Sequence, residues 1–208
     1  MIIALKFVLA FFVGAIPFAK VAMLGTGIDI TKVGSKNPGF RNVTRVASWW
    51  RAVICLVGDL GKGYLALLLF GRGEPSLVLW GLGLASVMGH CWSPFLGFNG
   101  GKGVATTFGV LLFLEPWITL VCLPLYPILR AIGGKLKVKQ EGAIASLSTT
   151  AAISALVIAK RGLEPGALAS IMLIIVFIRH LSNLRELVGL GAEERTHKGT
   201  QEAQKPLV

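Results

Sequence analysis

VATTFGVLLFLEPWITLVCLPLYPILRAI, residues 104–132, is the one apolar stretch whose number of membrane crossings is ambiguous, and its reading decides the architecture. Residues 104–114 supply about eleven positions before Glu115-Pro116 interrupts, and 117–132 resume, whereas a full helical crossing takes about 20 residues. Read as one bent span, the stretch sends the following Lys135, Lys137 and Lys139, and the polar C-terminal segment, to the outer face. Read as two spans broken at Glu115-Pro116, it leaves those lysines inside, where short loops collect basic residues. Two spans are therefore expected.

Working outward, apolar runs at 1–24 (bent at Pro17), 52–70, 76–92, 143–159 and 167–181 complete the count. The expected fold class is all-α, a polytopic membrane helical bundle of seven transmembrane helices with the N-terminus outside and the C-terminus cytoplasmic. That arrangement puts Lys32, Lys36, Arg41, Arg45, Arg51, Lys102, Lys135, Lys137, Lys139, Arg179 and Arg185 inside, and leaves Arg72, Lys160 and Arg161 outside. Residues 1–181 form one integral membrane domain and 182–208 a polar cytoplasmic tail. The apolar start carries Lys6 and Lys20 without a small-residue cleavage pattern, so a retained span is expected rather than a signal peptide.

Composition agrees. Hydrophobic residues make up 54% of the chain, charged residues 15%, and the mean hydropathy is +0.72, which excludes an ordinary soluble domain. The net charge of +11 is carried between apolar runs rather than on one soluble face, so its partners are membrane lipid and anionic ligands, not nucleic acid. Cys55, Cys91 and Cys122 lack the spacing of a zinc site or a disulfide framework and read as small core hydrophobes.

Immediately before residue 104 stands Gly100-Gly101-Lys102-Gly103, which has the makings of an anion loop. Glycines let backbone N–H groups approach an anion, Lys102 adds charge, and the dipole of the helix opening at Val104-Ala105-Thr106 favours negative charge. It is not a Walker A loop, since Leu96 stands where the leading glycine would fall and Gly103 follows the lysine. A glycine-rich turn that only eases helix packing would look similar.

Two other cytoplasmic segments carry polar groups to the same face. Residues 34–45 offer Ser35, Asn37, Asn42 and Arg45 as donors for phosphate oxygens, although a basic inner connector has the same composition. His180 and Asn183 share a helical face at i and i+3, and Ser146 and Ser148 open the sixth span in the same plane, as binding groups or as packing residues. His90 ends a span, as a cap or as a functional group, and Asp59 and Lys62 form an i, i+3 pair inside the membrane.

GSKNPGFRNVTR at 34–45, GDLGKG at 58–63, GHCWSPFLGFNGGKGVAT at 89–106 and RHLSN at 179–183 together resemble the bacterial membrane glycerol-3-phosphate acyltransferases that use acyl phosphate, the PlsY family. The resemblance runs from about Gly14 to Glu194 and marks the chain as a divergent member. It implies transfer of a fatty acyl group from acyl phosphate to the 1-hydroxyl of glycerol 3-phosphate, giving lysophosphatidic acid, in a multi-pass protein of the bacterial inner membrane with its site on the cytoplasmic side. It also implies that Ser35, Asn37, Asn42, Arg45, His90, Gly100, Gly101, Gly103, Thr106 and Asn183 bind substrate, and that Lys102, Ser146 and His180 serve catalysis. No cofactor and no metal are expected, because acyl phosphate is already an activated anhydride. For the base, His180 and the donor's own phosphate are rivals. Asn99 stands where the family has a lysine, Phe40-Arg41 where it has Ala-Thr, Pro94 is shifted by one and the pattern after Asn183 is out of step. A membrane transporter of an anionic metabolite is the alternative reading, since basic loops and intramembrane charges suit it as well.

Overall fold

The computed structural model describes residues 2–187, and among these every regular element is helical. The first apolar run is two helices, α1 (Ile3–Ala15) and α2 (Phe18–Ala22), because Pro17 lacks the N–H needed to continue the ladder. Arg51 Nη1 caps the end of α2 through the carbonyls of Ala22 (2.6 Å) and Leu24 (2.9 Å). A short helix, α3 (Phe40–Val46), stands in the segment read as a loop. It precedes α4 (Trp49–Phe70) and α5 (Ser76–Cys91).

The deciding stretch breaks at Glu115, as expected, and breaks again at Leu123-Pro124. It forms α6 (Val104–Leu114), α7 (Pro116–Cys122) and α8 (Leu125–Lys135). Two long helices follow, α9 (Glu141–Arg161) and α10 (Leu163–Leu187). Helix α10 runs on through Ser182–Leu187, the first residues of the polar tail, because no Gly or Pro stops it there. Residues 188–208, the remainder of that tail, lie outside the described residues.

Among the described residues, five stretches are long and apolar enough to cross a membrane: Ile3–Ala22, Trp49–Phe70, Pro116–Lys135, Glu141–Arg161 and Leu163–Leu187. The shorter α5 and α6 pack inside this set, α5 against α1 and α6 against α4. The α1–α5 pair is in backbone contact, since a Cβ on Gly14 would overlap the Ser86 carbonyl and one on Gly89 that of Phe11. Such closeness replaces the hydrophobic effect as the source of helix affinity in lipid. The core runs through Leu67, Leu82, Val110, Leu111, Ile153 and Met172, all fully buried.

The turns gather at two ends. At one end Lys6 pairs with Glu74, and Arg161 Nε reaches both Glu115 oxygens at 3.0 and 3.1 Å. At the other, α3, residues 99–103, the start of α9 and the end of α10 meet. All the polar segments singled out in the sequence, apart from the pair inside α4, belong to this second end.

Candidate active site

The polar end is organised around Lys102. Its ammonium bonds Asn183 Oδ1, Asn183 Nδ2 donates to Gln140 Oε1 at 2.6 Å, and Gln140 Nε2 donates to Glu186 Oε2 at 2.8 Å. The loop is thereby tied to α9 and α10. Burial, then the neighbouring charges of Arg41, Arg45 and Arg179, pull the Lys102 pKa down from the ordinary lysine value to about 8. A half-buried cation set among three others is a place prepared for an anion.

The glycines of this loop act chiefly on the protein itself. A Cβ on Gly101 would overlap the His90 imidazole, and the Gly101 N–H donates to the His90 carbonyl at 3.2 Å. Gly103 has φ +81°, which L side chains rarely adopt, and opens α6. Arg179 clamps the loop from α10, with Nη2 on the Gly100 carbonyl at 2.7 Å and Nε on that of Gly101 at 3.1 Å. The free backbone donors begin one residue further on. The N–H groups of Lys102, Gly103, Val104, Ala105 and Thr106 have no acceptor among the described residues, which is what a helix start offers an anion. Thr106 also carries a buried hydroxyl with no partner.

Ser146 of α9 and His180 of α10 meet at 3.2 Å between Oγ and Nε2, both buried. His180 Nδ1 lies 2.8 Å from the Val176 carbonyl, so the ring hydrogen sits on Nδ1 and Nε2 is the acceptor. The Ser146 hydroxyl, 3.0 Å from the Ala143 carbonyl as well, can therefore donate to Nε2. This is a hydroxyl beside an oriented base without a carboxylate behind it. Below it, a groove of about 420 Å³ runs between α9 and α10, lined by Leu147, Ser148, Ala151, Leu173, Ile174 and Phe177.

The segment 34–45 divides into two kinds of residue. Asn42 is fully buried, accepts from the Ser35 N–H at 2.8 Å and donates to the Ile30 (3.1 Å) and Val33 (3.0 Å) carbonyls, so its amide folds the loop. Ser35 and Arg45 are exposed, and their side chains have no protein partner among the described residues. Asn37 is half-buried at the turn into α3, where the Gly39 N–H donates to its carbonyl. Arg41 is bound to Glu141 at 2.6 Å, so only part of its charge is free to offset the missing lysine at Asn99.

His90 lies under the loop rather than in the cationic cluster, beside Asp59 and Lys62. Sequence reasoning did not place Arg179 or Gln140 in the site. The first was legible only as a neighbour of His180, since its carbonyl partners are some eighty positions away. Gln140 had no local signal at all.

Fold and site together define a polytopic helical membrane protein that presents a cationic, glycine-looped polar end beside an apolar groove. The glycerol-3-phosphate acyltransferase family model matches residues 4–189. The glycerol-3-phosphate acyltransferase of Laribacter hongkongensis is 37% identical over 199 residues, 90% of this chain and 93% of its own length. That of Sulfurimonas denitrificans is 36% identical over 201 residues, 91% and 94% of the two chains. The crystal structure of PlsY, an integral membrane glycerol 3-phosphate acyltransferase, matches in its glycerol 3-phosphate form with a TM-score of 0.78 and 29% identity, covering 91% of this chain and 93% of that one. Its lysophosphatidic acid form gives 0.77 over the same shares. The chain belongs to the glycerol-3-phosphate acyltransferase family and is a multi-pass membrane acyltransferase.

Proposed function

We propose that the polar end of the bundle is where this acyltransferase passes a fatty acyl group from acyl phosphate to the 1-hydroxyl of glycerol 3-phosphate. The observation that carries the placement is Lys102, a half-buried cation that feels the repulsion of Arg41, Arg45 and Arg179, offset only in part by Glu186. An anion relieves that repulsion on binding, and two anionic substrates relieve it best.

The donor's chain lies in the groove between α9 and α10, which opens beside Ser146 and His180. Its phosphate faces the free N–H groups at the start of α6 and the Lys102 ammonium. Ser35, Asn37 and Arg45 take the phosphate of the acceptor, with Asn183 setting Lys102 between the two substrates. The acceptor oxygen attacks the acyl carbonyl carbon while its proton passes to His180 Nε2, directly or through the Ser146 hydroxyl. Collapse of the tetrahedral oxyanion then breaks the bond to the bridging oxygen and expels inorganic phosphate onto the loop. Placement of two reactants and charge stabilisation supply the catalysis, since the anhydride is already activated.

The same reading puts the site on the cytoplasmic face of a bacterial inner membrane, with seven crossings and the N-terminus outside. The Lys6–Glu74 and Glu115–Arg161 pairs support it, because all four residues fall at the outer end in that topology. At about 1.5 Å per residue α6 is about 16 Å long, and it crosses only because the loop before it carries the chain across the remaining depth. The experiment is phosphate release from acyl phosphate by purified protein. Release that requires glycerol 3-phosphate, and falls at least about a hundredfold in Lys102→Ala, is expected. Release independent of the acceptor contradicts the assignment, and uptake by sealed vesicles without chemistry favours a transporter.

A further inference from the structure

The membrane-embedded charges of α4 have no place in the chemistry above, yet they touch what holds the loop. Lys62 Nζ lies 2.8 Å from Asp59 Oδ1 and donates to the Ile16 carbonyl at 2.7 Å. That carbonyl lies at the helix break before Pro17, where it also accepts from the Phe18 N–H at 3.1 Å. Ser93 uses the neighbouring carbonyl of Ala15 in the same way, at 2.7 Å. Asp59 Oδ1 also lies 3.4 Å from His90 Nδ1, while Cys55 Sγ is 3.6 Å from Oδ2. Asp59, Lys62 and His90 are each at most 6% exposed. The far side of the His90 ring, at Nε2, abuts Gly101, and its backbone carbonyl receives the Gly101 N–H.

From this chain of contacts we infer that Asp59, Lys62 and His90 are positioning residues that set the height of the Gly100–Gly103 loop, and so of Lys102. The carboxylate faces Nδ1 at 3.4 Å without the alignment of a hydrogen bond, and its charge there favours the imidazole tautomer with its hydrogen on Nδ1. The ring then forms the floor on which Gly101 rests. Lys62 neutralises the carboxylate and locks α4 to the broken first span. An ion pair kept in lipid at a desolvation cost would serve packing no better than two apolar side chains, so its retention fits a role in geometry.

The inference rests on the reading of Lys102 as the substrate-phosphate cation. It is tested with two double variants in detergent-purified protein. Asp59→Leu/Lys62→Met removes both charges and the oxygen that faces His90, whereas Asp59→Asn/Lys62→Met removes the charges but keeps an oxygen facing Nδ1. The first is expected to raise KM for glycerol 3-phosphate about tenfold or more, with the thermal unfolding midpoint near that of the parent. The second is expected to return KM to within about threefold of the parent, a rescue that a purely structural pair would not give. Parent-like constants in the leucine variant, or equal damage in both, overturn the proposal. If the leucine variant does not fold, His90→Phe decides: it fills the same space without Nδ1, and an unchanged KM overturns the idea. Lys102→Ala in the same assay separates the two levels. Its indifference would defeat the site itself, while a defect there beside normal double variants would defeat only the positioning role.

Discussion

In the proposed mechanism Lys102 and His180 divide the work of the site between charge and proton transfer, and each role would leave a distinct kinetic mark. Burial and three neighbouring arginines hold the Lys102 pKa near 8, so the unliganded enzyme loses this cation as pH rises through that value. The sign follows directly: anion capture is complete below about pH 8 and declines above it. Because kcat/KM reports the free enzyme, it is expected to fall about tenfold per unit well above that point. Lys102→Arg keeps its charge throughout, so its profile is expected to lack that alkaline limb while sitting lower at pH 7. A limb unchanged in the arginine variant would assign it to another group. His180→Gln is expected to cut kcat by about a hundredfold or more with KM for glycerol 3-phosphate nearly unchanged, since the proposed mechanism gives the ring, whose Nε2 faces Ser146, the reacting proton and not the phosphate. Turnover close to the parent across pH, in folded protein, would pass the role of base to the donor phosphate.

At the level of elements, the site depends on where helices begin. The N-terminus of α6 supplies unpaired backbone donors only because Gly103 turns the chain at φ +81°. Gly103→Ala is expected to cost about 1–2 kcal/mol in stability through that backbone strain, and also to raise KM for both substrates by displacing the donors. A thermal shift without a change in KM would separate the loop's conformation from its use. The groove between α9 and α10, where the proposed mechanism seats the acyl chain, makes a second demand. Ala151→Phe narrows it below Ser146 and is expected to depress kcat/KM for long-chain acyl phosphates at least about tenfold while sparing a short-chain donor. Equal effects on both would place the chain elsewhere. Most of these elements were legible in the sequence, since Pro17, Glu115-Pro116 and the glycines at 100–103 are strong local signals. Helix α3 was not, because 34–45 is rich in turn formers and its helix is stabilised by Asn42, whose partners Ile30 and Val33 belong to the preceding turn. Neither was the continuation of α10 to Leu187, where polarity was taken as a helix end although no stop residue occurs.

On the scale of the whole molecule, the question is how a bundle with two undersized helices puts a hydrophilic site at one face. Apart from Asp59–Lys62 inside α4, the long-range ion pairs among the described residues sort by end: Lys6–Glu74 and Arg161–Glu115 at one, Arg41–Glu141 at the other beside the Lys102–Asn183 contact. The site residues were found from sequence as separate loops, and what the sequence lacked was their convergence. The ties that bring them together, such as Arg179 to Gly100, link positions with no periodic relation. Convergence fixes a polarity that can be read chemically. In a background with Cys55, Cys91 and Cys122 replaced, single cysteines at the exposed Arg72 and Glu164 positions are expected to react with a membrane-impermeant thiol reagent in intact cells. Cysteines at the exposed Lys32 and Lys139 positions are expected to react only after permeabilisation, because the proposed seven-span order alternates these turns across the bilayer. Labelling of Lys139→Cys from outside would mean that 104–132 crosses once. The start of α9, which carries Gln140 and Glu141, would then stand on the opposite side from Arg45, although Arg41 of the same short helix is bonded to Glu141. Such a topology would break the bundle's own contacts, which is why the triple-lysine turn is the decisive place to probe.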